Sequence, residues 1–217
     1  MAFIIPYFIQ HQGCPHRCLF CDQSAITGER GSVEKPEEQL ETTIGVWLAR
    51  NRRNLPVQLA FYGGSFTCLP ESLQHRLLST VHPHVRAGRI ESIRLSTRPD
   101  CITDETCMFL MDFGVATIEL GVQSMNDVVL EKARRGHGAE SVRRASALVK
   151  KHGLQLGIQL MIGLPGESTV SFLRGVRETV AIGPDFVRLY PAVVLKNTGL
   201  ARLYRESGWQ PLSMNRA

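Results

Sequence analysis

Six short apolar runs punctuate the chain: AFIIPYFI (2–9), VQLAFY (57–62), SIRLST (92–97), VATIELGV (115–122), LQLGIQLMI (154–162) and FVRLYP (186–191). They are rich in β-branched and aromatic residues, and each is followed by a longer stretch with helical features, which predicts six strands alternating with helices. The helical stretches carry start and stop chemistry. Pro36-Glu37-Glu38 and Thr103-Asp104-Glu105 open two of them, and Gly114, Gly153 and Gly183 stand where glycine ends a helix. In AESVRRASALVKKHG, Val142, Ala145, Leu148 and Val149 form one face, while Arg143, Arg144, Lys150 and Lys151 lie largely elsewhere, as in an amphipathic crossover helix. Strand–helix–strand units of this kind predict an α/β fold with a parallel sheet. Six units are too few to close an eightfold barrel, so the expected architecture is an open arc, a partial (βα)6 TIM-like barrel occupying residues 1–217 as a single domain. Cysteines, glycines and polar residues gather just after the apolar runs, which places the functional loops at the strand C-termini. There is no fixed-period repeat, low-complexity tract or dividing linker.

Composition changes this picture little. At 217 residues, 43% hydrophobic and 21% charged, the chain has the make-up of a globular protein with a sizeable core. Its net charge of +5 suits an anionic partner such as nucleic acid. The aromatic content of 7% and the dispersed Arg and Lys, however, supply no RNA-stacking module. The N-terminal run lacks a basic flank and breaks at Pro6, and no apolar run reaches the roughly 18 residues of a membrane span, so the expectation is a cytoplasmic protein without membrane contact.

Of six cysteines, three crowd into GCPHRCLFC as Cys14, Cys18 and Cys21, and three are scattered as Cys68, Cys101 and Cys107. This is not the spacing of a secreted disulfide framework, and the scattered three read as small buried hydrophobes. The clustered thiols point to metal. Zinc would take a fourth ligand, for which His11 or His16 is available, and would make the chain a non-catalytic zinc-binding module. A cubane iron–sulfur cluster held by three thiolates instead leaves one iron open to an exogenous ligand.

The C-x3-C-x2-C spacing, with Phe20 directly before the last cysteine and a strand before the loop, resembles the radical S-adenosyl-L-methionine (SAM) superfamily. The resemblance implies a 4Fe-4S cluster on Cys14, Cys18 and Cys21, with Phe20 beside it and SAM at the open iron. It also implies an electron donor, and reductive cleavage of SAM to a 5'-deoxyadenosyl radical that takes hydrogen from a substrate. On the same resemblance, Gly63, Gly64 and Ser65 of FYGGSF match the turn that meets the SAM amine through the backbone. Ser96 of LSTRPD lies near the amino-acid moiety, where several relatives have glutamate. Gln123 and Arg135 of ELGVQSMNDVVLEKARRGH match the residues that approach the ribose and the SAM carboxylate, a group suited to an arginine fork. Gln159 matches a ribose contact, and Ile162 and Gly163 run beside the adenine. Arg98 reads as a contact to an anionic partner or as a surface ion-pair residue.

RPD, ELGVQS, RGH and VRLYPAVVLKNTGLARLY together resemble the Elongator radical-SAM subunit and, more distantly, oxygen-independent coproporphyrinogen oxidases, over residues 4 to 212. The cysteine spacing differs from Elongator, and the acetyltransferase domain has no counterpart here; the expected core ends early relative to these families. Lys196 falls near the active opening in the Elongator comparison. The implied function is that of a radical SAM enzyme acting on an unassigned substrate, RNA among the candidates. A coproporphyrinogen-oxidase-like or heme-binding protein is the alternative.

Overall fold

A computed structural model describes residues 2–9, 13–22 and 35–213. All six expected strands form: β1 (Phe3–Ile9), β2 (Val57–Gly63), β3 (Ser92–Thr97), β4 (Val115–Gln123), β5 (Gln155–Ile162) and β6 (Phe186–Pro191). They pair in parallel in the order β1-β2-β3-β4-β5-β6, each beside its sequence neighbour. The helices are α1 (Pro36–Arg50), α2 (Glu71–Arg86), α3 (Asp104–Asp112), α4 (Asp127–Lys132), α5 (Ala139–Lys151), α6 (Thr169–Ile182) and α7 (Gly199–Glu206). The sheet curls into a half-barrel, the partial TIM-like architecture of an α/β chain.

The termini of the helices follow their sequence signals. Thr103 Oγ1 accepts from the Thr106 amide at the start of α3, and Ser168 and Ser171 form a reciprocal capping box at the start of α6. Gly183 ends α6 in the left-handed region with φ 69°. On α5, Val142, Ala145 and Val149 are buried against the sheet, as the amphipathic pattern requires.

Strand alternation divides the molecule into two layers of different chemistry. One set of side chains, including Ile5, Tyr7, Leu59, Phe61, Ile93, Leu95, Ile118, Leu120, Leu156 and Ile158, packs with the helices into one apolar core. Each large aliphatic side chain buried there contributes about 1.5–3 kcal/mol. The alternate set, including Phe8, Tyr62, Ser96, Gly121, Gln159, Arg188 and Tyr190, faces the concave side and lines a cavity. The helix layer stops short at the far edge, where Val187 and Leu189 of β6 are exposed. Among the described residues, no helix is long and apolar enough to cross a membrane.

One expectation is corrected here. Cys68 and Cys101 are bonded to each other, whereas Cys107 alone of the scattered three is a free buried thiol. The physical reason is topological. β2 and β3 are neighbours, and a 3-10 turn follows each (Phe66–Cys68 and Pro99–Cys101), so residues 33 apart in sequence have Cα atoms 5.5 Å apart, within disulfide reach. Beside the disulfide, Thr67 Oγ1 and Thr97 Oγ1 share a hydrogen bond of 2.6 Å.

Candidate functional site

The cavity measures about 540 Å³, the size of a small-ligand site, and opens on the C-terminal side of the sheet. Its wall combines the cysteine loop after β1 with the ends of β2 to β6. Gly13 makes the loop's approach feasible. It has φ 77°, and a Cβ there would stand 2.4 Å from the Ser65 carbonyl oxygen, so only glycine lets the loop lie against the turn after β2. Cys14 Sγ is then 3.3 Å from Ser65 Oγ. Leu19 anchors the other end: its amide donates to the Ala133 carbonyl at 2.9 Å, and its own carbonyl accepts from Leu200 at 2.7 Å.

Cys14, Cys18 and Cys21 all line the cavity. Burial raises the Cys21 thiol to about 12, helped by the neighbouring Cys18 and Cys14 and opposed by Arg135. Three thiols set this close resist joint ionisation unless a cation offsets their charge. Among the described residues, no three His, Cys, Asp or Glu side chains converge tightly enough to hold one ion. A single zinc needs sulfurs at about 2.3 Å, whereas a cube of irons takes each sulfur at its own corner. His11 lies outside the described residues; His16 is exposed at the cavity wall.

Opposite the thiols stands Arg135. Its guanidinium donates to Cys18 Sγ at 2.9 Å and to the Gly121 carbonyl, while Arg98 donates to the Arg135 carbonyl. Arg98 is itself buried and holds both carboxylate oxygens of Asp100 at 2.9 Å, so it is an interior strut rather than a surface residue. Burial would raise the Asp100 carboxyl, but the Arg98 pairing outweighs it and keeps the group below its ordinary value. Gln123 ends β4 with φ 73°, at an irregularity in the β4–β5 register. That backbone is costly for a non-glycine residue and turns the side chain into the cavity. Arg135 Nε and Gln123 Oε1 are buried without a hydrogen-bond partner. A buried donor and a buried acceptor left this way call for a polar ligand, and a carboxylate for the one and a hydroxyl for the other would satisfy both.

Of the other expected residues, Phe20, Gly63, Gly64, Ser65, Ser96 and Gln159 lie on the cavity wall. Gln159 commits its amide nitrogen to Glu119 Oε2 at 3.0 Å and to Ser96 Oγ at 3.4 Å, leaving its carbonyl end for a hydroxyl donor. Ile162 and Gly163 are off the wall. By alternation Met161 turns to the cavity and Ile162 away from it, and Leu212 packs over Gly163, whose amide donates to Glu167. Lys196 is exposed and outside the cavity.

The sequence reading missed a charged layer on the concave side. Glu119 of β4 is fully buried and lies 3.1 Å from Arg94 Nε of β3 and 2.9 Å from Arg188 Nε of β6. Burial first, and then the Glu119 charge, raise the Tyr62 phenol above its usual value and keep it protonated. A signal was available: each of these charges interrupts an otherwise apolar strand, as in TIELG, SIRLS and FVRLY.

A parallel half-barrel whose strand ends gather three cysteines, a glycine turn and unsatisfied polar groups is the architecture of an enzyme that handles an iron–sulfur cluster and a nucleotide. The chain belongs to the Radical SAM superfamily, whose family profile matches residues 9–174. Enzymes of this superfamily use a 4Fe-4S cluster and SAM. A tRNA uridine(34) acetyltransferase of Dehalococcoides mccartyi is 25% identical, covering 91% of this chain and 50% of the relative. Protein YhcC of Escherichia coli is 27% identical, covering 88% of this chain and 63% of that one. The fold matches the archaeal Methanocaldococcus infernus Elp3 with a TM-score of 0.74 at 20% identity, over 96% of this chain and 50% of that one. It also matches the coproporphyrinogen III oxidase HemN of E. coli with a TM-score of 0.67 at 18% identity, over 99% and 49%. The chain thus spans about half the length of the first of these curated relatives.

Proposed function

We propose that Cys14, Cys18 and Cys21 hold the 4Fe-4S cluster, that SAM lies across the ends of β2 to β5, and that a nucleobase of an RNA is the group presented to it. The carrying observation is the single cavity wall shared by the three thiols, Arg135 and Gln123, with unpartnered Arg135 Nε and Gln123 Oε1 among them. When bound, the cluster and SAM supply a 5'-deoxyadenosyl radical able to take hydrogen from carbon. The protein's own residues do the positioning. Arg135 offers its fork to the SAM carboxylate while bracing the Cys18 sulfur; the backbone at Gly63 and Gly64 meets the amine; Gln123 and the carbonyl end of Gln159 take ribose hydroxyls. Phe20, Phe8 and Met161 add apolar surface to the wall of this chamber. The RNA reading draws on the relative named for tRNA uridine(34) and on the net charge of +5.

The test is anaerobic reconstitution with iron and sulfide, followed by dithionite and SAM. Wild-type protein turns brown and releases 5'-deoxyadenosine. Cys14→Ala, Cys18→Ala and Cys21→Ala each retain no cluster and release none. Colourless, folded wild-type protein would refute the assignment.

A further inference from the structure

The charged layer beneath the cofactor cavity contains one more cation than its anions offset. Arg98 is matched by Asp100, and Arg135 by Cys18 and the ligand carboxylate assigned to it above. Glu119 is left to serve two guanidiniums, Arg94 and Arg188. Both Nε atoms lie at ion-pair distance from its carboxylate, yet neither N–H is aimed at it, and both stay without a hydrogen-bond partner. Arg188 Nη2 donates to Glu119 Oε1 at 3.4 Å, so one carboxylate attracts two arginines while taking up only part of their donors.

The two arginines differ in access. The Arg94 side chain is 13% exposed, whereas that of Arg188 is 39% exposed and lines the cavity. Both guanidiniums stack on the Phe186 ring, at 5.2 and 5.8 Å from its centroid. The ring is seated on Gly157, where a Cβ would come within 2.5 Å of Phe186 Cζ. Arg188 is thus a cation held by an aromatic plate and by a carboxylate, and its partly exposed side chain lines the chamber. The phenols of Tyr62 and Tyr190 line the same chamber and provide hydroxyl donors beside it.

Resting on the reading of this chamber as the cofactor and substrate site, we infer that Arg188 is the residue that receives an oxyanion of the substrate. Tyr62 and Tyr190 complete the contact, and Glu119 tempers its strength. The geometry is that of a guanidinium held ready for a planar or tetrahedral oxyanion, either a carboxylate or a phosphodiester.

Titration calorimetry on the cluster-loaded full chain, kept anaerobic with S-adenosylhomocysteine present and ionic strength fixed with chloride, tests this with two probes. Diuridine monophosphate presents a phosphodiester and glutarate presents carboxylates; whichever binds identifies the source of the oxyanion. Arg188→Gln is expected to weaken that probe by about tenfold or more, the loss of a charge-assisted hydrogen bond. Arg188→Lys keeps the affinity within about tenfold of wild type, because the charge remains while the fork is lost. Glu119→Gln moves the other way and tightens binding about threefold, since the competing carboxylate charge is gone; a purely structural ion pair would give no such gain. Equal affinity in wild type and Arg188→Gln, or no binding of either probe, overturns the inference. Protein that takes up no cluster or S-adenosylhomocysteine instead overturns the reading of the chamber itself, so the two failures are distinguishable.

Discussion

Arg135 carries two contacts at once, and separating them is the sharpest question at the scale of single residues. Read from sequence, it is a carboxylate contact alone, and its removal would spare the cluster. Its guanidinium, however, also donates to Cys18 Sγ at 2.9 Å and to the Gly121 carbonyl. A charge-assisted hydrogen bond contributes about 1.5–3 kcal/mol, so Arg135→Ala is expected to weaken SAM binding by about 10- to 100-fold. The same variant also shifts the cluster's absorbance or loosens its retention, because the sulfur loses a donor that stabilises its negative charge. Arg135→Lys restores charge near the sulfur but not the fork, and so recovers cluster retention more fully than SAM affinity. Parallel SAM titrations and iron analysis after desalting measure both. Weakened SAM binding with wholly unaltered cluster spectra would show that the Cys18 contact has no effect on the sulfur.

At the scale of elements, the concave layer of β4, β5 and β6 is closely packed at Gly157, and that contact is testable. An added Cβ would stand 2.5 Å from Phe186 Cζ and 3.1 Å from Glu119 Cγ, so Gly157→Ala displaces the ring on which Arg94 and Arg188 stack. Overpacking of this kind costs about 1–3 kcal/mol, which lowers the melting temperature by roughly 3–10 °C in a chain of this size. Combining it with Phe186→Leu returns part of the loss in a double-mutant cycle, and additive effects would show that the ring is free to move. The elements themselves were legible in the sequence. Runs such as SIRLST and VATIELGV, with Thr103 before one helix and Gly183 after another, are local signals, and each sits where the structure puts it. The cysteine loop was legible for the same reason, its three thiols falling within eight positions. What stayed hidden is long-range: Arg188 and Glu119 are 69 residues apart, and Cys68 and Cys101 meet only because β2 and β3 are neighbours. Strand alternation also sets Met161, and not Ile162, on the cavity wall, since a motif names a stretch but the pleat decides which of its side chains face the chamber.

For the molecule as a whole, the basic surface and the buried polar struts make acid the condition that separates their contributions to stability. His137 is lowered to about 4, by burial first and then by Arg135. It is therefore neutral in the folded protein near neutrality, whereas in the unfolded chain it binds a proton near its ordinary value of about 6.5. The unfolded state then holds more protons between these two values, so stability is full above about pH 6.5 and falls as the pH drops toward 4. With allowance for its partial hydration, the loss is on the order of 2 kcal/mol. Asp100 acts in a second, lower window. Its carboxyl lies below the ordinary 3.8 in the fold, so the Arg98 pairing is present above that value and is lost only as the pH falls through the depressed folded one. Throughout, protonation of carboxylates drives the net charge above +5 and adds repulsion common to every variant. His137→Asn therefore removes the first window and leaves the second. Its urea midpoint is expected to fall less than that of wild type between about pH 7 and about pH 5, with the difference appearing in the midpoint and not in the slope. Parallel curves for the two proteins would place the acid sensitivity in that range on the general charge of the molecule rather than on His137.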